Sequence, residues 1–178
     1  MKKKNMQLPT AFTQHINCVN AVIETPKGCA AKYNYDAQTQ MFRLKKILPA
    51  GMVFPFHFGF IPGTMAEDGD PLDVLVLMDE PSWPGCIIEC MAIGVLVAEQ
   101  AQNNKMVRND RVIATARASS AYNEIEDLSS FNHLTVKEIE NFFYSYTRHE
   151  KKDFRILEKK DRDFAINLIK KHLINGNN

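Results

Sequence analysis

Residues 67–78 read EDGDPLDVLVLM: four carboxylates in seven residues, interrupted by Gly69 and Pro71, run straight into an apolar strand. Asp-Gly and Asp-Pro are ordinary turn chemistry, and a turn alone needs about one such acid. Asp68, Asp70 and Asp73 crowd together, and such charges repel unless a cation or a proton sits among them. Gly69 permits a sharp bend and Pro71 locks its own φ, so a loop entering a strand can aim the three side chains at one point. All-oxygen donors of this kind suit Mg²⁺ or Mn²⁺ far better than zinc. The calcium-loop spacing is absent, because neither Asp79 nor Glu80 stands where that pattern needs its closing glutamate. The residues alone leave two readings open, a metal-binding loop and an acidic turn.

Outward from this loop the pattern is β. NAVIETP (20–26) precedes AKYNYD (31–36), where Lys32, Asn34 and Asp36 alternate with Tyr33 and Tyr35 in the period of a strand. MFRLKKIL, the Gly/Pro-punctuated GMVFPFHFGFIPGT, PLDVLVLM, GCIIECMAIGVLV and DRVIATARA continue the series. Many short strands broken by Gly and Pro suggest a small barrel or sandwich. The last third changes period. Thr135-Val-Lys-Glu138 reads as a capping box, followed by a helical stripe of Val136, Ile139, Phe142, Phe143 and Tyr146. A second helix is expected over about 161–174, burying Phe164, Leu168, Ile169 and Leu173. The expected architecture is a closed or nearly closed β-barrel with two helices packed on it.

With 178 residues, 45% hydrophobic and 24% charged, the chain is expected to form one domain (1–178) with a real core, and residues 1–16 a loosely held arm. A net charge of +1 argues for neither a nucleic-acid coat nor an acidic tail. No stretch approaches the 18 apolar residues of a membrane span, and the basic start has no apolar run behind it. Cys18, Cys29, Cys86 and Cys90 form no CxxC pair and read as reduced, mostly buried thiols of a cytoplasmic protein.

EDGDPLDVLVL resembles the signature of the soluble family I inorganic pyrophosphatases, Asp-x-Asp-Pro-x-Asp before an apolar strand. AVIETPKG with Lys32-Tyr33, FPFHFGFIPGT, PGCIIECMAIGVL, NDRVIA and FFYSY follow in the family's order, so the resemblance covers roughly residues 20–157. It implies a five-stranded OB-like barrel with helices and a Mg²⁺-dependent hydrolysis of diphosphate, with Mn²⁺ as a possible substitute. By the same resemblance Asp68 and Asp73 match metal ligands, Asp73 bridging two ions, and Asp70 matches the general base. Asp110 is expected as a further metal ligand, with Asn109 and Glu99 as alternatives. Lys32, Lys46 (with Arg43 as its rival), Arg111 and Tyr146 match phosphate-binding positions, and Glu24 an acid near the site. On the residues alone Glu24 fits an exposed strand charge equally well, a lone Lys in an alternating strand such as Lys32 is usually its solvent face, and Tyr146 fits the end of a buried stripe. No nucleic acid or membrane partner is implied, and a homo-oligomer, commonly a hexamer, is.

The chain also departs from the pattern. Asn34 stands where an acid is common, Phe54 and Phe58 where tyrosines are, and Gln102, Asn103 and Asn104 where further carboxylates are expected. A second reading therefore remains: a catalytically weak OB-like module that binds a nucleotide or nucleic acid. Its surface would combine basic 43–46 and 105–111 with Phe54, Phe56, Phe58 and Phe60 as a stacking platform.

Overall fold

The computed structural model describes residues 8–103, 105–122, 124–149 and 153–174. Among the described residues nine strands and two α-helices follow in the order β1 (Cys18–Thr25), β2 (Ala31–Asp36), β3 (Met41–Ile47), β4 (His57–Phe60), β5 (Asp73–Leu77), β6 (Ile87–Gln102), β7 (Lys105–Arg108), β8 (Arg111–Ala116), α1 (His133–His149), β9 (Phe154–Lys160) and α2 (Arg162–Lys171). Five of the strands close a ring: β1–β4–β5–β8–β6, with β6 returning to β1. The OB-like ring expected from the sequence is present, though not as an even barrel. β6, at 16 residues, continues past the ring to pair with β7 and β9, and β2–β3 form a separate hairpin.

Alternation along the strands divides the interior into two apolar clusters. Val74, Val76, Val112 and Ala114 face one way and meet Ala165, Leu168 and Ile169 of α2. Leu75, Leu77 and Ile113 face the other way and meet Ile139, Phe143 and Tyr146 of α1. β5 and β8 are thus apolar on both faces, which is why VLVL and VIATA carry no polar alternation. Gly59 is needed by the ring itself: a Cβ there would lie 2.0 Å from the Val22 carbonyl oxygen across β1–β4.

Several expectations change in detail. Phe54, Phe56, Phe58 and Phe60 are all buried, so they form core and no stacking platform. Asn132 caps α1, its Oδ1 accepting from Leu134 N–H at 2.9 Å, which leaves Thr135 inside the first turn instead of at the cap. Asp161 caps α2, and Phe164 and Leu173 flank the buried face half-exposed, with Ala165 and Ile166 inside. β7 and β9 give no clear sequence signal because KMVR and FRILEKK are rich in charge; both are fastened by pairing with β6, and of β9 Phe154 reaches the core. The N-terminal segment is held from Thr10 on: Ala11 is buried and accepts from Asn20 N–H, and Phe12 bridges Val19. Residues 1–7 of the expected arm, and Asn104, lie outside the described residues. Cys18 and Cys90 are buried, Cys29 and Cys86 half-buried, and all four are free thiols.

Candidate active site

The loop between β4 and β5 carries the aspartates. Gly69 adopts φ +90°, the left-handed region that favours glycine, and Asp70 N–H donates to Asp68 Oδ1 at 3.2 Å. Asp73 opens β5. Parallel pairing sets it opposite Arg111 at the start of β8, and Arg111 Nη1 lies 3.0 Å from Asp73 Oδ2. The same Nη1 donates to the side-chain and main-chain oxygens of Asn109, and the guanidinium lies over the rings of Phe143 and Phe154. Arg111 is therefore a buried cation clamped between an acid, an amide and two aromatic faces.

Facing this corner is the β2–β3 hairpin. Lys32 pairs with Lys46 across the two strands, and the next pair is Tyr33 with Leu44, so Lys45 is the extra residue of a bulge. The bulge turns two consecutive lysines towards the same space, which strict alternation forbids. Lys46 Nζ sits 4.1 Å and Lys32 Nζ 5.6 Å from the Tyr146 ring centroid, over the floor that Phe54 and Phe58 complete. Like charges placed directly opposite each other weaken a hairpin, so this arrangement makes sense around an anion.

Between the two walls lies a cavity of about 800 Å³. Asp68, Asp70, Asp73, Glu24, Lys32, Lys46, Arg111 and Tyr146 all line it, so all the expected site residues but one come together. The exception is Asp110. It lies in the turn between β7 and β8 with its carboxylate outside the cavity lining, where Oδ1 accepts from Ala98 N–H at 3.0 Å and from Arg108 Nε at 2.6 Å. Glu99 also lies outside the lining and pairs with Arg155 at 3.8 Å, whereas Asn109, the remaining alternative, does line the cavity. Arg43 is likewise excluded; it is exposed and paired with Asp36, and Lys46 holds the cavity position. Lys45, part of the basic 43–46 run, joins the lining through the bulge, and Gln100, a neutral residue in the extension of β6, carries no signal in its residue type.

Burial shapes the charges. Glu24, on β1, is buried and its carboxyl is raised to about 7, chiefly by loss of water, although it accepts from Tyr35 N–H at 2.7 Å. Burial also pushes Asp68 and Asp73 upward; Arg111 opposes the effect at Asp73. Carboxyl groups raised in this way are those a bound cation stabilises most. Asn34 Oδ1 is buried at the cavity wall without a hydrogen-bond partner among the described residues. These oxygens fit a hard divalent ion. No three acidic, imidazole or thiol groups among the described residues already close on one point, so water or substrate oxygens would complete its shell.

Comparison with known proteins agrees with this geometry. The inorganic pyrophosphatase family model matches residues 21–175. A soluble inorganic pyrophosphatase of rice, Oryza sativa subsp. indica, is 36% identical over 152 residues, 85% of this chain and 69% of that protein. An inorganic pyrophosphatase of Synechocystis is 34% identical over 151 residues, covering 85% and 87%. The crystal structure of inorganic pyrophosphatase from Thermus thermophilus superposes with a TM-score of 0.83 at 31% identity, covering 92% of this chain and 93% of that one. On the match over nearly its whole length, with the aspartate loop, lysine pair and buried arginine set around one cavity, the chain belongs to the inorganic pyrophosphatase family.

Proposed function

We propose that this chain hydrolyses inorganic diphosphate to two phosphates, with Asp70 as the base that receives the proton of the attacking water. The observation that carries the reading is the facing of Asp68, Asp70 and Asp73 against Lys32, Lys46 and Arg111 across one cavity. Phosphoryl transfer demands little covalent chemistry of a protein; it demands positioning and charge neutralisation. Lys32 and Lys46 hold one phosphoryl group over the Tyr146 ring, and Arg111 approaches the other while remaining tethered to Asp73. Water attacks phosphorus, the bridging P–O bond breaks, and the proton passes to a carboxylate oxygen of Asp70. The exposed position of Asp70 on its loop lets it meet both water and substrate.

The family implies Mg²⁺, with Mn²⁺ as a substitute, and the oxygen donors of Asp68 and Asp73 are those we assign to it. Such an ion supplies Lewis-acid polarisation of phosphoryl oxygens and a lower pKa for bound water. Asp110 is assigned a structural role, for the hydrogen bonds described above. A cytoplasmic location is in keeping with four free thiols, and no helix among the described residues is long and apolar enough to cross a membrane. A homo-oligomer, a hexamer by family resemblance, is the assembly we expect, and exposed Ile16, Trp83 and Ile87 supply apolar surface for it. The nucleic-acid reading is not favoured, since its aromatic platform is core.

Phosphate release from diphosphate across a Mg²⁺ titration tests the reading. Asp70→Asn is expected to lower kcat by about 10²-fold or more with an unchanged melting temperature. Near-normal turnover in that variant would remove Asp70 from the catalytic role.

A further inference from the structure

The third wall of the cavity, formed by the β6–β7 hairpin and the turn into β8, carries carboxamides: Gln100, Gln102, Asn103 and Asn109. The acids of this stretch are turned out of the cavity. Glu99 lies outside the lining and pairs with Arg155, and Asp110, in the turn before β8, accepts from Ala98 N–H and Arg108 outside it. The hairpin thus offers the cavity neutral amides while its two carboxylates serve the sheet.

Resting on the function proposed above, we infer that the hairpin wall binds phosphoryl oxygens through its amides and holds no divalent ion, so that ion binding before substrate is confined to one ion at the Asp68–Asp70–Asp73 loop. Carboxamide oxygens bring no net charge, and an ion such as Mg²⁺ gives up its water reluctantly for neutral donors. A polyanion meets the opposite situation, because amide N–H groups donate to anionic oxygens in charge-assisted hydrogen bonds. Asn109 shows the orientation: its Oδ1 is turned to the Arg111 guanidinium, which sets its amide N–H₂ on the other side as a donor. The charge balance agrees. The four carboxyl groups lining the cavity are matched by four cationic side chains, Lys45 included, so a single added ion already tips the cavity positive for an anion.

The test is an Mn²⁺ titration of the full-length, diphosphate-free chain, with free ion counted by electron paramagnetic resonance. One ion per chain is expected, lost in Asp73→Asn. The double variant Gln100→Glu/Asn109→Asp is expected to raise the count to two. Gln100→Ala is expected to weaken inorganic phosphate binding about tenfold with the Mn²⁺ count unchanged. Two or more ions on the wild-type chain, or a folded double variant that still binds one, overturns the inference. If the double variant does not fold, the wild-type count decides. A wild-type chain that releases phosphate while holding two ions refutes this inference and leaves the proposed function standing. One that holds a single ion but releases no phosphate refutes the function instead.

Discussion

Glu24 is an acid whose chemistry changes on folding. In an unfolded chain its carboxyl titrates at 4.5; buried in β1 it titrates at about 7, because lost hydration outweighs the hydrogen bond from Tyr35. A raised folded-state pKa means stability that is fully present below pH 4.5 and is lost as pH climbs through 7. Ionising Glu24 inside the fold costs about 3 kcal/mol. Glu24→Gln keeps the acceptor for Tyr35 and cannot ionise. In chelator, we expect the variant to match the wild type at pH 4.5 and to melt ~5 °C or more higher at pH 8.5. Parallel melting curves across that range would show that Glu24 does not bear this cost. The aspartates of the loop were legible as a site from their crowding alone. Glu24 was not, because one acid in an alternating strand looks the same in the sequence whether it faces solvent or the cavity.

At the scale of elements, two junctions decide how the site is held. Asp110 joins β6 to β8 by accepting from a buried main-chain N–H and from Arg108. Asp110→Ala leaves both donors unmatched and is expected to cost about 1–3 kcal/mol, while the Mg²⁺ dependence of phosphate release stays that of the wild type. A raised Mg²⁺ requirement in that variant would return Asp110 to the ion-binding set. The second junction is β1 against β4, where Gly59 lets the strands meet. Gly59→Ala drives a methyl into the Val22 carbonyl and is expected to cost about 3 kcal/mol or more; a melting temperature within a degree of the wild type would refute that. The bulge at Lys45 belongs to this scale too. KK in a strand reads as one residue in and one out, and only the pairing of β2 with β3 turns both lysines to the cavity.

For the whole molecule, β5, β6 and β8 belong to both apolar clusters, so neither cluster can melt without disturbing the strands that support the other. Ile139→Ala in α1 and Ile169→Ala in α2 are each expected to cost ~2–5 kcal/mol. Both should lower one and the same calorimetric transition, with van't Hoff and calorimetric enthalpies equal. Two separated transitions in either variant would mean that the faces fold independently. Shared strands also tie the site together: Asp73 begins β5, Arg111 begins β8, and the aromatic floor comes from α1 and the segment through β4.

What the sequence determined by itself was the set of elements with strong local signals and the loop with strong local chemistry. A period-2 pattern marked β2, short apolar runs marked β5 and β8, a period-3.6 stripe marked α1, and EDGDPLD stood out because a turn alone needs about one of its aspartates. What only the tertiary structure decided was orientation. Whether Glu24 is wet or buried, whether Lys46 or Arg43 meets the substrate, and whether Asp110 or Asn109 faces the cavity all turn on strand register. Register is set by long-range pairing, and a shift of one residue exchanges the two faces of a strand. The carboxylates of the hairpin were visible in the sequence; that they point out of the cavity, leaving amides to face the ligand, became visible only once β6, β8 and β9 were paired.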